Sequence, residues 1–369
     1  MDNVLTKRFG DLYLLPSSNG LSRPAAVRGS GFKMINMGEL FANNIITALD
    51  MERVQMSETE QKKLFLEEGD LLFARQSLVA EGAGKCSIVK TLSEPTTFES
   101  HIIRVRLNKT LGNPWYFYYL FQMKSNPIKT IVNQCAQAGI RGSELIKIKV
   151  PNPSILIQQK IANILSRYDE AIENNNKRIK LLEQMAQNLY KEWFVRFRFP
   201  GYENCEFENG IPVGWHQGRL SELLEFKRGK NITADEMEDG DVSVISAGLE
   251  PSGYHSTSNV QGVSLTICSS GANAGYLAIH YEDIWAADCM FITEKNTKDI
   301  YYLYELLNNI RPVIFNQQRG AAQPHVYSKD INNLRLWIPN EELIENANKL
   351  FESFHKEIYQ LQRANQNLV

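Results

Sequence analysis

The fold is decided by a helical stretch that reads Ile157-Gln-Gln-Lys-Ile161-Ala-Asn-Ile164-Leu-Ser-Arg-Tyr168 and continues through Ile172. Its apolar residues recur at steps of three and four, the spacing that places them along one side of an α-helix. The apolar stripe is narrow, like the seam of a coiled coil, whereas a helix that lies on a globular core has a broader apolar face. The stretch therefore predicts a long helix that pairs with another helix.

The partner helix is predicted by a repeat of the same stripe near the C-terminus, where each stripe position returns 186 residues later. Even the extra four-residue step, which breaks a perfect heptad, recurs at the corresponding place. The stripe is interrupted by polar Asn175 in the first copy and by polar Asn365 in the second. We predict that the two helices pair through Ile157, Ile161, Ile164, Tyr168, Ile172, Ile179, Leu182, Leu343, Leu350, Phe354, Ile358, Leu361 and Leu368. The alternative is that each helix docks separately on its own core.

The segments upstream of the two helices also correspond. An alternating strand that ends in Pro-Asn precedes each helix, at residues 145–152 and 334–340. Two short helical segments precede each strand, at 115–123 with 128–135 and at 300–307 with 313–318. Further upstream, a strand, a glycine-bearing loop and further strands occur in both copies, around residues 69–106 and 262–293. Such loops are able to project from a sheet.

We therefore predict an α+β protein with two similar α/β domains separated by two long, antiparallel, coiled-coil-like helices and a pseudo-twofold internal repeat. The expected boundaries are a first domain at 1–154, a central spacer helix at 155–198, a linker at 199–211, a second domain at 212–340 and a C-terminal spacer helix at 341–369. The Pro, Gly and Asn residues between 199 and 214 are typical of an exposed linker.

The charge balance excludes some classes of function. The 369 residues contain 40 basic and 42 acidic groups, a net charge of −2, whereas a self-sufficient nucleic-acid-binding protein usually has a large basic excess. The two predicted domains differ, however: residues 1–154 carry 19 basic and 14 acidic groups, a net +5, and residues 212–340 carry 10 and 15, a net −5. The balanced total therefore combines a basic first domain with an acidic second domain.

The residues predict neither a membrane segment nor a metal site. The apolar runs are far shorter than the roughly 20 residues that span a bilayer, so we expect a cytoplasmic protein. Five cysteines lie far apart without zinc-ligand spacing, which predicts free thiols and no metal. The six histidines form no pair at metal or triad spacing.

Four stretches closely resemble the specificity subunit of type I restriction–modification systems. They are Val150-Pro-Asn-Pro153, the run from Gln158 to Ile172, the run from Leu181 to Phe194, and Ile211-Pro-Val-Gly-Trp215. The resemblance covers essentially the whole chain, although the two domains match only in plan.

The resemblance implies a non-catalytic, sequence-specific reader of double-stranded DNA that takes part in phage defence. Its two target-recognition domains would each contact one half of a split, asymmetric sequence. It also implies two methyltransferase subunits and two restriction subunits as partners. S-adenosylmethionine and ATP with Mg would be bound by those partners, and this chain would carry no cofactor of its own.

Two alternatives belong to other classes of protein. A self-sufficient DNA methyltransferase or nuclease would need catalytic motifs, but the nearest candidates depart from them. Asn113-Pro114-Trp115-Tyr116 has one proline too few for a target-base motif, and the Glu81–Cys86 loop lacks the pattern of a phosphate loop. The other alternative is a DNA-independent coiled-coil scaffold, which a DNA shift assay with partners present would distinguish.

Candidate DNA-contact residues are polar or basic groups on the loops, because base readout requires such side chains. In the first domain they are Arg23, Arg28, Arg75, Gln76, Ser77, Lys85 and Arg141. In the second they are Lys227, Arg228, Lys230, Asn231, Thr233, Ser269, Ser270, Asn273, Gln317, Gln318, Arg319, Gln323 and His325.

The first long helix continues past the repeated stripe with further apolar residues. Met185, Leu189 and Trp193 lack counterparts in the second helix, which makes them candidates for contact with a partner subunit. Packing within this chain is the alternative.

Overall fold

The computed structural model describes residues 5–24, 28–79, 82–133, 138–320 and 323–368, and the chain divides into two compact units, Met1–Glu170 and Ala171–Val369. Cys135, Glu81 and residues 321–322 of the predicted segments lie outside the described residues. Among the described residues, no helix combines the length and the apolar character that crossing a membrane requires.

The first unit is built on a five-stranded sheet in the order β2-β10-β6-β8-β4, with smaller sheets β5-β3-β9, β1-β12 and β7-β11. Its strands are β1 Thr6–Arg8, β2 Ser18–Asn19, β3 Arg28–Ile35, β4 Ile45–Ile46, β5 Arg53–Val54, β6 Leu71–Ala74, β7 Gln76–Ser77, β8 Cys86–Val89, β9 Thr96–Phe98, β10 Ile102–Val105, β11 Ala138–Gly139 and β12 Lys149–Pro151. Its helices are α1 Met37–Ala42, α2 Glu58–Leu64, α3 Pro114–Gln122 and α4 Gly142–Leu145, followed by α5 Ile155–Tyr190, which continues into the second unit.

The second unit contains a four-stranded sheet in the order β16-β22-β19-β20, a three-stranded sheet β18-β17-β21, and the pairs β15-β23 and β13-β14. Its strands are β13 Phe207–Glu208, β14 Ile211–Pro212, β15 His216–Arg219, β16 Lys227–Arg228, β17 Val242–Ile245, β18 Gly253–His255, β19 Ser264–Cys268, β20 Leu277–His280, β21 Ile284–Ala286, β22 Cys289–Thr293 and β23 Arg335–Ile338. Its helices are α6 Ile300–Asn309, α7 Arg311–Phe315, α8 Ser328–Asn332 and α9 Glu341–Leu368.

The two sheets repeat one arrangement. In the first unit β6 lies between β8 and β10, and in the second β19 lies between β20 and β22, with antiparallel pairing throughout. The strand that precedes each long helix also pairs in the same way, β12 with β1 and β23 with β15. The predicted internal repeat is therefore confirmed at the level of strand pairing.

An aromatic core supports the central sheet of the first unit. Phe73 of β6 lies 5.3 Å from Phe121 of α3, and Phe9 lies 5.5 Å from Phe117, measured between ring centroids. Because these side chains are almost fully buried, they hold α3 against the sheet. The loops at the strand ends are then the parts of the domain that are available for contact with other molecules.

Two predicted elements differ from the observed ones. Residues 145–152 were expected to form one strand, but β12 covers only Lys149–Pro151 and a helical turn, α4, ends at Leu145. Leu145 and Ile148 are both buried, and that three-residue spacing suits a turn of helix better than an extended strand. The helical segment expected at 128–135 is a short 3₁₀ helix at Pro127–Ile131.

Within the second unit, α5 and α9 pair in antiparallel fashion, as predicted. The Asn175 amide donates to Asn365 Oδ1 at 2.9 Å, and Arg178 forms an ion pair of 2.5 Å with Glu357. Rising residue numbers on α5 thus meet falling numbers on α9. The two polar interruptions of the stripes lie opposite each other, so each amide has a hydrogen-bonding partner.

The N-terminal part of the predicted stripe is not buried. Ile157, Ile164 and Tyr168 are 49%, 57% and 46% exposed, and Ile161 packs only partly, against the core of the first unit. In the register set by the Asn175–Asn365 bond, Leu368 at the end of α9 corresponds to Ile172. The half-exposed side chains of Ile157, Ile164 and Tyr168 give no support to the prediction that these positions pair with α9.

Candidate nucleic-acid interface

Two loops that are distant in the sequence meet in the second unit. The first follows β19, and the second follows α7. The backbone amide of Gly271 donates to Pro324 O at 3.0 Å, and that of Val326 donates to Ser269 O at 2.9 Å. We call the described residues of these loops, 269–274, 317–320 and 323–326, the second loop cluster. It contains Ser269, Ser270, Asn273, Gln317, Gln318, Arg319, Gln323 and His325, all of which were predicted site residues.

Several of these polar side chains hold the loops in place. Ser270 Oγ donates to the Asp288 carboxylate, and Asn273 and Gln318 donate to backbone oxygens at 3.1 and 2.7 Å. Arg319 forms an ion pair of 2.7 Å with Asp330. Gln317 makes only a long contact of 3.5 Å, to a backbone oxygen one turn earlier. Gln323, in contrast, is exposed, which leaves its amide available to a ligand.

The end of β16 lies at the same edge of this sheet. The backbone amide of Gly229 donates to Cys289 O at 2.8 Å, and Cys289 is opposite Cys268, the residue before the second loop cluster. Lys227 and Arg228 are exposed on β16, and Lys230 and Asn231 are exposed just beyond it. The predicted basic group at 227–231 therefore lies next to the second loop cluster.

Two polar side chains of this region bind other groups of the protein. The Lys230 ammonium lies 5.9 Å from the centroid of the Trp285 ring, a cation–π contact. Thr233 Oγ1 donates to the Glu236 carboxylate at 3.0 Å, and the same carboxylate accepts from the Thr233 backbone amide at 2.8 Å, so this hydroxyl is held at the start of a short 3₁₀ helix.

A corresponding cluster forms in the first unit. β7, which carries Gln76 and Ser77, pairs with β11, and the Ile140 amide donates to Arg75 O at 2.9 Å. Lys85 is joined to the same strand end, because its carbonyl accepts from the Ala74 amide at 2.9 Å. We call residues 75–79, 82–85 and 138–141 the first loop cluster. It brings together Arg75, Gln76, Ser77, Lys85 and Arg141, five of the predicted site residues.

Arg23 and Arg28 do not belong to this cluster through any contact among the described residues. Arg23 forms an ion pair of 2.5 Å with Glu60, and Arg28 one of 2.8 Å with Glu52. Arg28 also donates to the Arg23 carbonyl at 3.0 Å. Since carboxylates already neutralise both guanidinium groups, their prediction as DNA-contact residues finds no support in the structure.

The two loop clusters occupy equivalent places in the repeat. The β7–β11 pair joins the loops in the first unit, and the Ser270–His325 bridge joins the corresponding loops in the second. Each cluster lies where the middle strand of its sheet ends, after β6 in one case and β19 in the other. Amide, hydroxyl and cationic side chains are gathered at both places, which are the groups that bind base edges and phosphates.

Some participating residues were missed by the sequence analysis. Asp288 holds Ser270, Trp285 lies beneath Lys230, and the Tyr327 ring stacks on His325 with 6.2 Å between centroids. Tyr327 follows His325 by two residues, a spacing that places both side chains on one side of an extended segment, so this residue could have been found. Asp288 carried no such signal, because an acidic group is not expected at a DNA-reading loop.

The thiols near the second loop cluster, and His280 at the other end of the same sheet, are not poised for nucleophilic chemistry. Burial raises the pKa of the Cys268 thiol to about 11 and that of the Cys289 thiol to about 12, so both stay protonated at neutral pH. Burial lowers the pKa of His280 to about 4, which keeps that imidazole neutral. Cys86, Cys205, Cys268 and Cys289 are free thiols. Among the described residues, no cluster of three metal-ligating side chains occurs.

The Trp193 side chain is not accessible to a partner subunit. It is 8% exposed and belongs to the core of the second unit together with Phe194 and Trp215. Leu189 packs partly against the same core, and Met185 is 52% exposed. The prediction of Trp193 as a partner anchor is therefore wrong, because the helix extension that carries it closes the core of its own domain. Met185 alone of the three stays available.

Comparisons with known proteins agree with this duplicated arrangement. The model of the type I restriction modification DNA specificity domain matches residues 6–184 and again residues 212–366. The MjaIX specificity subunit of a type I restriction enzyme from Methanocaldococcus jannaschii is 26% identical over 279 residues, which cover 67% of this chain and 64% of that protein. The MjaVIII specificity subunit from the same organism is 20% identical over 345 residues, covering 84% of this chain and 79% of that protein.

A solved structure has the same fold. The S subunit of a type I restriction–modification system from M. genitalium aligns with a TM-score of 0.65 at 15% sequence identity, over 100% of this chain and 94% of that chain. At this identity the likeness concerns the fold. Because the family model matches both halves of the chain, this protein belongs to the family of the type I restriction modification DNA specificity domain.

Proposed function

We propose that this chain is the sequence-specific DNA-recognition subunit of a type I restriction–modification complex and that it has no catalytic role of its own. One observation carries the proposal: the two units present polar loop clusters at equivalent ends of equivalent sheets. A duplicated reading surface suits a target of two separate parts. Since the loops of the two clusters differ in sequence, the two parts would differ as well, and the target would be bipartite and asymmetric.

The second loop cluster illustrates how such a surface would work. Hydrogen bonds and the Arg319–Asp330 ion pair fix the loop backbones, while Gln323 and the basic residues of β16 stay exposed. Fixed loops lose little conformational freedom when they bind, and exposed amides and guanidinium groups are able to form paired hydrogen bonds with base edges.

The reaction chemistry would belong to partner subunits. We propose two methyltransferase subunits, which would bind S-adenosylmethionine and methylate adenine, and two restriction subunits, which would bind ATP with Mg. The domain boundaries given above would then separate two target-recognition domains from their spacer helices.

Methylome sequencing tests the proposal. Cells that express the methyltransferase subunit with this chain should carry N6-methyladenine in a motif of two defined parts separated by undefined bases. The mark should disappear when the chain is removed. A motif that persists without the chain, or one that is short and continuous, would contradict the proposed function.

A further inference from the structure

A second surface of the first unit has the character of a phosphate site. It is a cavity of about 420 Å³ beside the start of β8, and Lys85, Lys124 and Lys129 line it. Gln122 and Asn126 also line it, but their side chains bind backbone groups of the protein, Cys86 O at 2.8 Å and the Ile128 amide at 3.0 Å. No carboxylate is among the described residues that line the cavity.

The segment of chain that supplies most of the lining carries only basic charges. From residue 100 to residue 143 the sequence contains six Lys and Arg residues and no Asp or Glu. Arg104 is buried inside the domain. Arg106 forms an ion pair of 2.7 Å with Asp70. Neither charge is therefore available at the surface. Lys124 and Lys129 are exposed, and within the described parts of the chain neither has a carboxylate within ion-pair distance. Their charge is therefore directed to solvent.

Lys85 connects this cavity to the first loop cluster. Its ammonium donates to the Phe41 carbonyl and lies 5.7 Å from the centroid of the Phe41 ring. Partial burial lowers the pKa of Lys85. A cation that is already partly dehydrated loses less hydration when an anion approaches, so it is a favourable point of contact. A neighbouring cavity is lined by Lys85 together with Gln76 and Ser77, which places the basic surface next to predicted base-reading groups.

The corresponding place in the second unit differs in charge. The start of β20 is the equivalent of the start of β8, so Tyr276 stands where the first unit has Lys85. The cavity between α6 and α7 is lined by Lys191 and Arg311 but also by Glu305, and the Arg311 guanidinium donates to Leu277 O at 3.1 Å. A lining with three lysines and no carboxylate is thus a feature of the first unit.

We propose that Lys85, Lys124 and Lys129 form a contact surface for the DNA backbone, where they bind phosphates that flank the half-site read by the first loop cluster. This inference rests on the proposed function. Lysine ammonium groups are mobile point charges that suit a row of phosphates. A site for one phosphate ion would instead use a converging set of arginine or backbone N–H donors.

The test compares two double variants in the chain co-purified with a methyltransferase subunit. Lys124→Gln/Lys129→Gln removes two of the three charges and leaves Lys85 in its loop. Lys62→Gln/Lys63→Gln removes two exposed charges from α2, which does not line the cavity, and serves as the matched control. Affinity for the target duplex and for a scrambled duplex is measured between 50 and 200 mM salt.

Each phosphate contact contributes about −0.9 to the slope of log affinity against log salt. The Lys124/Lys129 variant should therefore have a slope shallower by about 1.8, so that this increase in salt weakens the wild type about 12-fold more than the variant. The preference for the target over the scrambled duplex should not change, because phosphate contacts carry no sequence information. The control should keep the wild-type slope.

The outcomes separate this inference from the proposed function. An unchanged slope, or an equal change in the control, would overturn the inference and leave the proposed function intact. Competition by inorganic phosphate at constant ionic strength, seen with the wild type and absent from the variant, would also overturn it in favour of a single-ion site. A wild-type complex that binds DNA without sequence preference would instead contradict the proposed function, and one that binds no DNA would contradict both.

Discussion

Asn348 of α9 is the side chain whose removal should most clearly weaken the second domain. It is 7% exposed, and its Oδ1 accepts hydrogen bonds from the backbone amides of Tyr301 and Tyr302 at 3.1 and 3.0 Å. Its Nδ2 donates to Lys298 O at 3.0 Å. Asp299, the residue that precedes α6, provides no side-chain cap. Asn348 therefore satisfies amides of the first turn of α6 from a different helix.

The expected magnitude follows from these contacts. Asn348→Leu keeps the approximate volume but leaves two buried amides without a partner, at a cost of about 1–3 kcal/mol each. Burial of the leucine would return about 1–2 kcal/mol. We expect the free energy of unfolding to fall by about 3 kcal/mol, which corresponds to a decrease in Tm of about 6–12 °C for a domain of this size.

Urea unfolding monitored by tryptophan fluorescence is the suitable assay. Of the five tryptophans, only Trp115 lies in the first unit, so the signal reports mainly on the second. Asn346→Leu is the matched control, since Asn346 is exposed on the same helix. If Asn348→Leu were within about 0.5 kcal/mol of this control, the role of Asn348 as a cap across two helices would be refuted; surface changes usually stay within that range.

Three further predictions concern the core, the pH dependence and the readout of DNA. Trp193→Ala should lower the free energy of unfolding by about 3–5 kcal/mol in urea titrations, because Trp193 is part of the core of the second unit; a folded variant that merely fails to bind the methyltransferase subunit would contradict this. His280 has its pKa lowered to about 4, so the unfolded chain binds more protons between pH 6.5 and 4, and unfolding free energy should fall by up to about 3 kcal/mol as the pH decreases through that window. His280→Gln should flatten that dependence, and an identical pH profile in the variant would exclude His280 as its source. Gln323→Ala should relax the methylated motif in one half only, with Gln366→Ala on α9 as the control; a change in both halves would argue against separate reading by the two domains.

The long helices were predictable because their pattern is local. Three- and four-residue steps place Leu350, Phe354, Ile358 and Leu361 on one side of α9 without any knowledge of the rest of the chain. The constant spacing of 186 residues between the two apolar stripes supported the prediction that α9 pairs with α5. What the pattern did not show is which α5 residue lies opposite which α9 residue. The Asn175–Asn365 bond sets that register.

The candidate site was predictable only as a set of residue types. Loop composition identified most members of both clusters, including Gln76 and His325, since polar groups on glycine-bearing loops suit nucleic-acid binding. Their assembly depends on contacts between distant segments, such as the β7–β11 pair, which joins residues 76–77 to 138–139. Composition does not reveal such pairings. For the same reason the ion pairs that neutralise Arg23 and Arg28 could not be foreseen.

The Trp193 error has a related cause. An apolar residue in the part of a helix that extends beyond the repeat has no equivalent in the other copy. The pattern does not show whether another protein or another part of the same chain buries its side chain. The structure shows the second case, with Trp193 and Trp215 in one core. Phe194 lies between them, with its ring centroid 6.1 Å from that of Trp215. Because Trp215 ends the Ile211–Trp215 segment at the entry to the second domain, this shared core ties the end of the central helix to the domain that follows it.

Both long helices join their domains through a buried amide, but at positions that the repeat does not relate. Asn348 caps α6, and in the first unit Gln158, which is fully buried, accepts from the Asn113 amide at 2.8 Å at the start of α3. The equivalent of Gln158 in the second copy is Ile344, and the equivalent of Asn348 in the first copy is Ala162. The same requirement, a donor or acceptor that reaches the first turn of the short helix from the long one, has thus been met twice by different residues. If the long helices position the recognition domains on DNA, firm attachment at these two points is what would transmit the helix spacing to the loops, and both amides would be needed for it.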